Sequence, residues 1–289
     1  MTAEAIEEQV IEVADTRTRR RGVRNAELLV GCLLLAVIVV GAVFAPLLTS
    51  FDPTKPNVAQ ALQGASSTHL FGTDNLGRDI FARVLYGARS DLTIAISAVV
   101  APFIIGCVLG VITGYFGGWV DNIIMRIADI FTAFPFFILV ISLVFILGNG
   151  TRSIFIAITV VSWVAYTRIV RGEAMVVRNK EFVLASQVGG ISKIRILARH
   201  MAPNVISQAI IYAMSDIVMD IGVIVTLSYF GLGIVPPTPD WGSMMADGQQ
   251  FLAGGYYGMT LFPAAAVILT SLALALIGDG LAHTLRTNR

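Results

Sequence analysis

Two carboxylates, Asp216 and Asp220, stand four residues apart in an otherwise apolar run from Val205 to Leu232. On a helix that spacing puts both on one face. A charged Asp at the centre of a membrane span costs on the order of 3 kcal/mol on insertion scales. Such a pair must therefore face a protein interior or a water-filled cavity rather than lipid. Two readings stay open: acids lining a path for a cationic group, or polar contacts to another helix or a partner subunit. No catalytic chemistry is legible. P-loop, dinucleotide, EF-hand and zinc-ligand spacings are all missing from the sequence. Cys32 and Cys107 sit in apolar runs as packing residues, and His69, His200 and His283 are isolated in sequence. No metal site and no cofactor of its own are expected in this chain.

The second polar feature is the stretch from Arg168 to Asn204, which holds seven of the twenty Lys and Arg residues between two long apolar segments. Within it, Glu181, Leu184, Ala185 and Ser186 precede the double glycine Gly189-Gly190, and Pro203 follows. That order predicts one short helix, a glycine break, and a second helix entering the membrane near Pro203. A small-residue helix presented to water suits docking in a partner's groove; the same basic segment would also suit anionic lipid.

These features need a membrane body to hold them. Of 289 residues, 56% are hydrophobic and 13% charged, against about 25% charged in soluble domains; mean hydropathy is +0.78. The net charge of +1 says nothing about partners, and no nucleic-acid partner is expected. Charge-poor segments at 26–50, 92–120, 130–151, 153–167, 205–232 and 258–277 predict an all-α polytopic protein with six transmembrane helices. The first is read as retained rather than as a cleaved signal, because its apolar region is too long. Segment 153–167 is short and spans by running on past Arg168. Pro135 interrupts the third span and implies a kink or a buried break. Gly106, Gly110 and Gly114 form a stripe permitting close helix approach, or simple flexibility.

Residues 1–25 read as a cytosolic arm and 26–289 as the transmembrane domain. Within it, 51–91 reads as an extracytoplasmic loop whose Leu76-Gly77-Arg78-Asp79 turn leads into an interfacial amphipathic helix. Arg126 and Asp129 are spaced to pair on one helix face. Fifteen Lys and Arg residues fall on the side of the termini and of loop 171–204, and five on the other. The bias places both termini and that loop in the cytosol.

The segment from Glu181 through Gly190 to Pro203 resembles the coupling-loop motif of ABC importer permeases. Ala185, Gly190 and Pro203 match it, whereas Leu184 and Ser186 stand where Glu and a second Ala are customary. Further stretches are similar to the dipeptide/oligopeptide (nickel) subfamily: His69 to Asp79, Leu85 to Arg89, Gly114 to Trp119, Ile169 to Gly172, Phe230 to Gly233, Pro236 to Gly242 and Gly278 to Leu281. Where this subfamily usually has a Glu, the fifth span has Ile224. The resemblance implies the second-type permease subunit of an ATP-driven importer in a bacterial or archaeal cytoplasmic membrane. It implies a homologous second permease, two cytosolic ATPases that bind ATP and Mg, and an extracytoplasmic solute-binding protein. The cargo implied is a di- or oligopeptide, with nickel or another small solute as the alternative in the same machinery. A secondary transporter using Asp216 and Asp220 is the alternative of a different class.

Overall fold

The computed structural model describes residues 26–287, and among them every regular element is helical. The N-terminal arm lies outside the described residues. Helix α1 (Ala26–Val43) leaves Leu29, Leu33, Val37 and Val40 exposed, as a span solvated by lipid does. It approaches the last helix closely: a side chain at Gly31 would lie 2.9 Å from the Ala273 carbonyl. After α2 (Ala45–Leu48) and a 3-10 turn at Val58–Gln60 comes α3 (Ile80–Phe116). The Asp79 carboxylate caps α3 by accepting from the Ala82 N–H at 2.7 Å.

Here the structure corrects the expected interfacial helix. Segment 80–91 is not a separate element lying at the surface; it is the first three turns of the second span. At ~1.5 Å per residue, the 37 residues of α3 run about 55 Å, well beyond a ~30 Å hydrocarbon core. Of the charged residues in these turns Arg89 stays exposed, whereas Arg83 and Asp91 turn inward, 3% and 0% exposed, because each finds partners in other segments.

Helix α4 (Gly118–Thr132) and α5 (Phe136–Leu147) meet at an 85° bend around Pro135, so the kink expected there is a true break. Five helices are long and apolar enough to cross a membrane, and the α4–α5 pair makes a sixth if taken as one span. Arg126 and Asp129 do not pair; Asp129 accepts from Arg168 of α6 at 2.8 Å. Helix α6 (Thr151–Arg178) does continue past Arg168, for 28 residues in all.

The glycine stripe of α3 packs on α6. A Cβ at Gly110 would sit 2.7 Å from Val170 Cβ, and one at Gly114 would sit 2.5 Å from Ala174 Cβ. Only glycine lets the two backbones come this close. The short α7 (Glu181–Val188) and α8 (Lys193–Ile196) follow, then a π-helical turn at Leu197–Met201 and α9 (Ala202–Tyr229). Pro203 has no N–H to offer Arg199, and its ring crowds that carbonyl; the helical ladder widens just before it. Helix α10 (Trp241–Gln249) and α11 (Gly258–Thr287) complete the chain.

Candidate functional site

The segment expected to couple the chain to its motor folds as α7 and ends in a glycine cap. Gly190 has φ +73°, the left-handed region. Its N–H donates to the Gln187 carbonyl at 3.1 Å, and the Ile191 N–H donates to the Ser186 carbonyl at 3.1 Å. This pair of bonds is the Schellman arrangement, which satisfies carbonyls the helix leaves open. Gly189 sits at the cap, and its N–H donates to the Ala185 carbonyl at 2.9 Å. Val183 is fully buried and fastens the helix to the body. Glu181, Phe182, Leu184 and Ala185 are exposed, and Val188 is 90% exposed. A helix with one buried anchor and so much exposed apolar surface is a docking shape. Pro203 is also exposed, at the start of α9.

Inside the bundle, the structure brings Asp216 and Asp220 to one buried face of α9. Asp216 accepts from the Tyr166 hydroxyl of α6 at 2.8 Å. Tyr166 lies edge-on to Tyr212 and to Phe103, with ring centroids 4.8 and 5.6 Å away. Asp220 is fully buried, and neither of its oxygens has a partner among the described residues. Ile224 is fully buried as well and adds no charge. Asp216 reaches a cleft of about 510 Å³ between the α4–α5 break, α6 and α9; Phe131, Phe134, Phe136, Ser162, Tyr212 and Met219 share its lining. Tyr166, Tyr212 and Ser162 carry no sequence signal as polar partners; they read as part of the apolar spans. Their only trace is periodicity, since Ser162 and Tyr166, and Tyr212 and Asp216, each stand four apart.

A larger polar network, also missed, ties the ends of α3 and α10 together. Asp74 accepts from the N–H groups of Leu76 and Arg78 at 2.9 Å each, and from Arg78 Nε at 2.6 Å. Arg83 Nε lies 3.5 Å from the same carboxylate, and Arg83 Nη1 donates to the Pro53 carbonyl at 3.2 Å. Arg78 Nη2 also reaches Asp247 of α10 at 3.4 Å. His69 Nδ1 lies 2.8 Å from Asp79 Oδ2. Asp91 accepts from the Trp241 N–H at 3.0 Å, while Trp241 Nε1 donates to the Val84 carbonyl at 3.1 Å. Asp79 thus marks the helix start that the turn in the sequence suggested, and Arg78 beside it pairs with Asp74. Arg83, Asp91 and Trp241 could be placed only by the fold.

At the opposite end of α3, Arg171 grips Asp121 with two hydrogen bonds, at 2.5 and 2.6 Å. Arg168 bridges α6 to Asp129 and Thr132 of α4 at 2.8 and 3.2 Å. Among the described residues no group of three His, Cys, Asp or Glu side chains is placed to hold a metal ion.

A multi-pass helical body with a broken span, a buried acid pair and an exposed two-turn helix is the architecture of a membrane transport subunit. Residues 106–287 match the family described as the binding-protein-dependent transport system inner membrane component, and the chain belongs to that family. It is 38% identical over 262 residues to the dipeptide transport system permease protein DppC of Alkalihalophilus pseudofirmus, covering 91% of this chain and 86% of that one. It is 38% identical to the oligopeptide transport system permease protein OppC of Bacillus subtilis, covering 90% and 85%. A glutathione transport system permease protein GsiD from Escherichia coli is 37% identical, covering 92% and 88%. Among solved structures, an inward-facing conformation of the MetNI methionine ABC transporter shares the fold. Its TM-score is 0.55 at 19% identity, covering 72% of this chain and 96% of that chain.

Proposed function

We propose that this chain is a peptide-translocating permease subunit of an ATP-driven importer. The observation that carries the reading is its likeness, across nine-tenths of its length, to permeases named for dipeptide and oligopeptide transport. In this reading the chain pairs with a homologous second permease in a bacterial or archaeal cytoplasmic membrane, with both termini in the cytosol. Two cytosolic ATPases bind ATP and Mg, and a solute-binding protein delivers cargo from the other side.

The exposed α7 fits the cleft of one ATPase. Leu184 offers that cleft an apolar contact where the related motif has a carboxylate, and Glu181, at the head of the helix, is the remaining acid. Ala185, Ser186, Gly189 and Gly190 keep the approach close, and Pro203 marks where the chain re-enters the membrane body. Closure of the ATPase pair then acts on α6 and α9 through this one segment. Asp216 and Asp220 belong to the translocation path.

The test is reconstitution of the assembled transporter in vesicles with a labelled dipeptide, a labelled oligopeptide and glutathione as separate cargoes. Uptake of a peptide is expected only with ATP and loaded binding protein. ATP-independent uptake by this chain alone would overturn the reading in favour of a secondary transporter. ATP-driven uptake of glutathione with neither peptide transported would move the substrate class.

A further inference from the structure

We propose that the cleft between the α4–α5 break, α6 and α9 is a selectivity subsite for a primary ammonium group held beside an apolar or aromatic side chain. The inference rests on reading the chain as a peptide-translocating subunit, and it adds which part of the cargo this subunit inspects.

The cleft, about 510 Å³, falls within the range of small-molecule sites, ~300–1,000 Å³. Its walls are aromatic and aliphatic, with Phe131, Phe134 and Phe136 from the break and Met219 from α9. Thr132, Ser162, Arg168, Tyr212 and Asp216 interrupt that surface with polar groups. Ser162 is 5% exposed, and its buried Oγ has no hydrogen-bond partner among the described residues. A buried hydroxyl left unmatched is uncommon and marks a place where a polar group belongs.

Asp216 is also 5% exposed and engages only Oδ2, on Tyr166; Oδ1 carries no bond to another described residue. One turn along α9, Asp220 lies fully buried behind the cleft wall rather than in it, with both oxygens unmatched among the described residues. The cation of the cleft, Arg168, turns Nη2 to Asp129 and Thr132, which pairs its charge with a carboxylate of α4. The polar part of the cleft thus offers a carboxylate oxygen and a hydroxyl without partners, beside a partly exposed guanidinium turned toward Asp129. An ammonium group brings three donors and one positive charge, and its attraction to a carboxylate strengthens in an apolar, water-poor setting. The aromatic walls suit the adjoining carbon chain and can face the cation as well. A carboxylate placed against Asp216 meets like charge, so the cargo's acid end is disfavoured at that wall.

Two parts of a peptide carry this group, the α-amino terminus and a lysine side chain. The test uses the complete transporter in nanodiscs with phenethylamine as the probe and 2-phenylethanol as its uncharged counterpart, followed by saturation-transfer NMR. Phenethylamine is expected to bind, and Asp216→Asn to weaken it about tenfold while leaving the alcohol unchanged. Phe131→Ala is expected to weaken both probes, which keeps the inference testable if the Asp216 variant fails to assemble. Equal affinity for the two probes, or phenethylamine binding indifferent to both variants, would overturn it.

Uptake of Ala-Lys and Ala-norleucine at saturating binding protein then separates the sources. A loss confined to Ala-Lys in Asp216→Asn assigns the lysine side chain, whereas a loss of both, in a transporter whose unaltered form discriminates between the probes, assigns the amino terminus. If the unaltered transporter moves neither peptide yet binds phenethylamine through Asp216, the peptide reading fails and the ammonium subsite stands.

Discussion

The Tyr166 hydroxyl donates to Asp216 Oδ2 at 2.8 Å, joining α6 to α9 inside the bundle. Hydrogen bonds to charged groups contribute more than neutral ones in water-soluble folds, but measured values between membrane helices average about 0.6 kcal/mol. Tyr166→Phe is therefore expected to destabilise the assembled complex by about 1 kcal/mol. A double-mutant cycle with Asp216→Asn, read by thermal unfolding, checks this; additive single effects would show that the bond contributes nothing.

Asp220 is expected to behave in the opposite way. A fully buried acid without partners is a net liability, and removing such a group is often neutral or stabilising. Asp220→Leu should keep or raise the melting temperature while lowering transport. A melting temperature that falls would reveal a partner for this carboxylate in the full assembly.

The glycine stripe sets a steric limit. Gly110→Leu drives side-chain atoms into Val170, whose Cβ is 2.7 Å from the nearest possible Cβ position. Overpacking of this kind costs roughly 1–3 kcal/mol or more. The readout is the yield of assembled complex after solubilisation. Gly222→Ala, with nothing within 4 Å of its added Cβ, serves as the tolerated control.

At the proposed coupling segment the limit is backbone conformation, not space. Nothing lies within 4 Å of a Cβ at Gly190, yet its φ is +73°. Gly190→Ala should therefore cost about 1 kcal/mol of local stability, and Gly190→Asn less. Hydrogen exchange across 181–190 will show the cap loosening. Gly190→Trp adds bulk to the docking surface, so substrate-stimulated ATP turnover should be lost while membrane insertion is retained. Normal turnover in that variant would remove this segment from the coupling role.

Asp74 and Asp247 offer a matched pair of tests on the polar network. Asp74→Asn leaves Arg78 and Arg83 buried without their shared anion, a change worth about 3–5 kcal/mol. Asp247 sits at 3.4 Å with its side chain 45% exposed, so Asp247→Asn should cost under about 1 kcal/mol. Expression level and melting temperature compare the two, and equal losses would contradict the assignment of Asp74 as the hub.

Much of the architecture was legible because a membrane span announces itself locally, by length and lack of charge. The α7 helix and its glycine cap were legible for the same reason: double glycine after a short helical run is a local signal. Asp216 and Asp220 stood out as charges in an apolar run. What stayed hidden was long-range. Arg83 and Asp91 read as interfacial because their partners, Asp74 with the Pro53 carbonyl and the Trp241 backbone, come from other segments. Asp129 lay three residues from Arg126, and only the packing of α4 on α6 chose Arg168 instead. Tyr166 could not be told from a packing aromatic until the fold set it against α9.

The distribution of cross-links along α3 has one more consequence. Near Asp79 the helix is bound by buried charges to its loop and to α10, and Gly87 lets the Trp241 ring seat against it. Toward Gly117 the charged ties join α4 to α6, through Asp121 with Arg171 and Asp129 with Arg168. Helix α3 is thus held by buried charge at its Asp79 end and by close glycine packing on α6 toward Gly117. The two ends therefore come loose by different means: neutralising Asp74 unties the first, whereas bulk at Gly110 or Gly114 wedges the second away from α6.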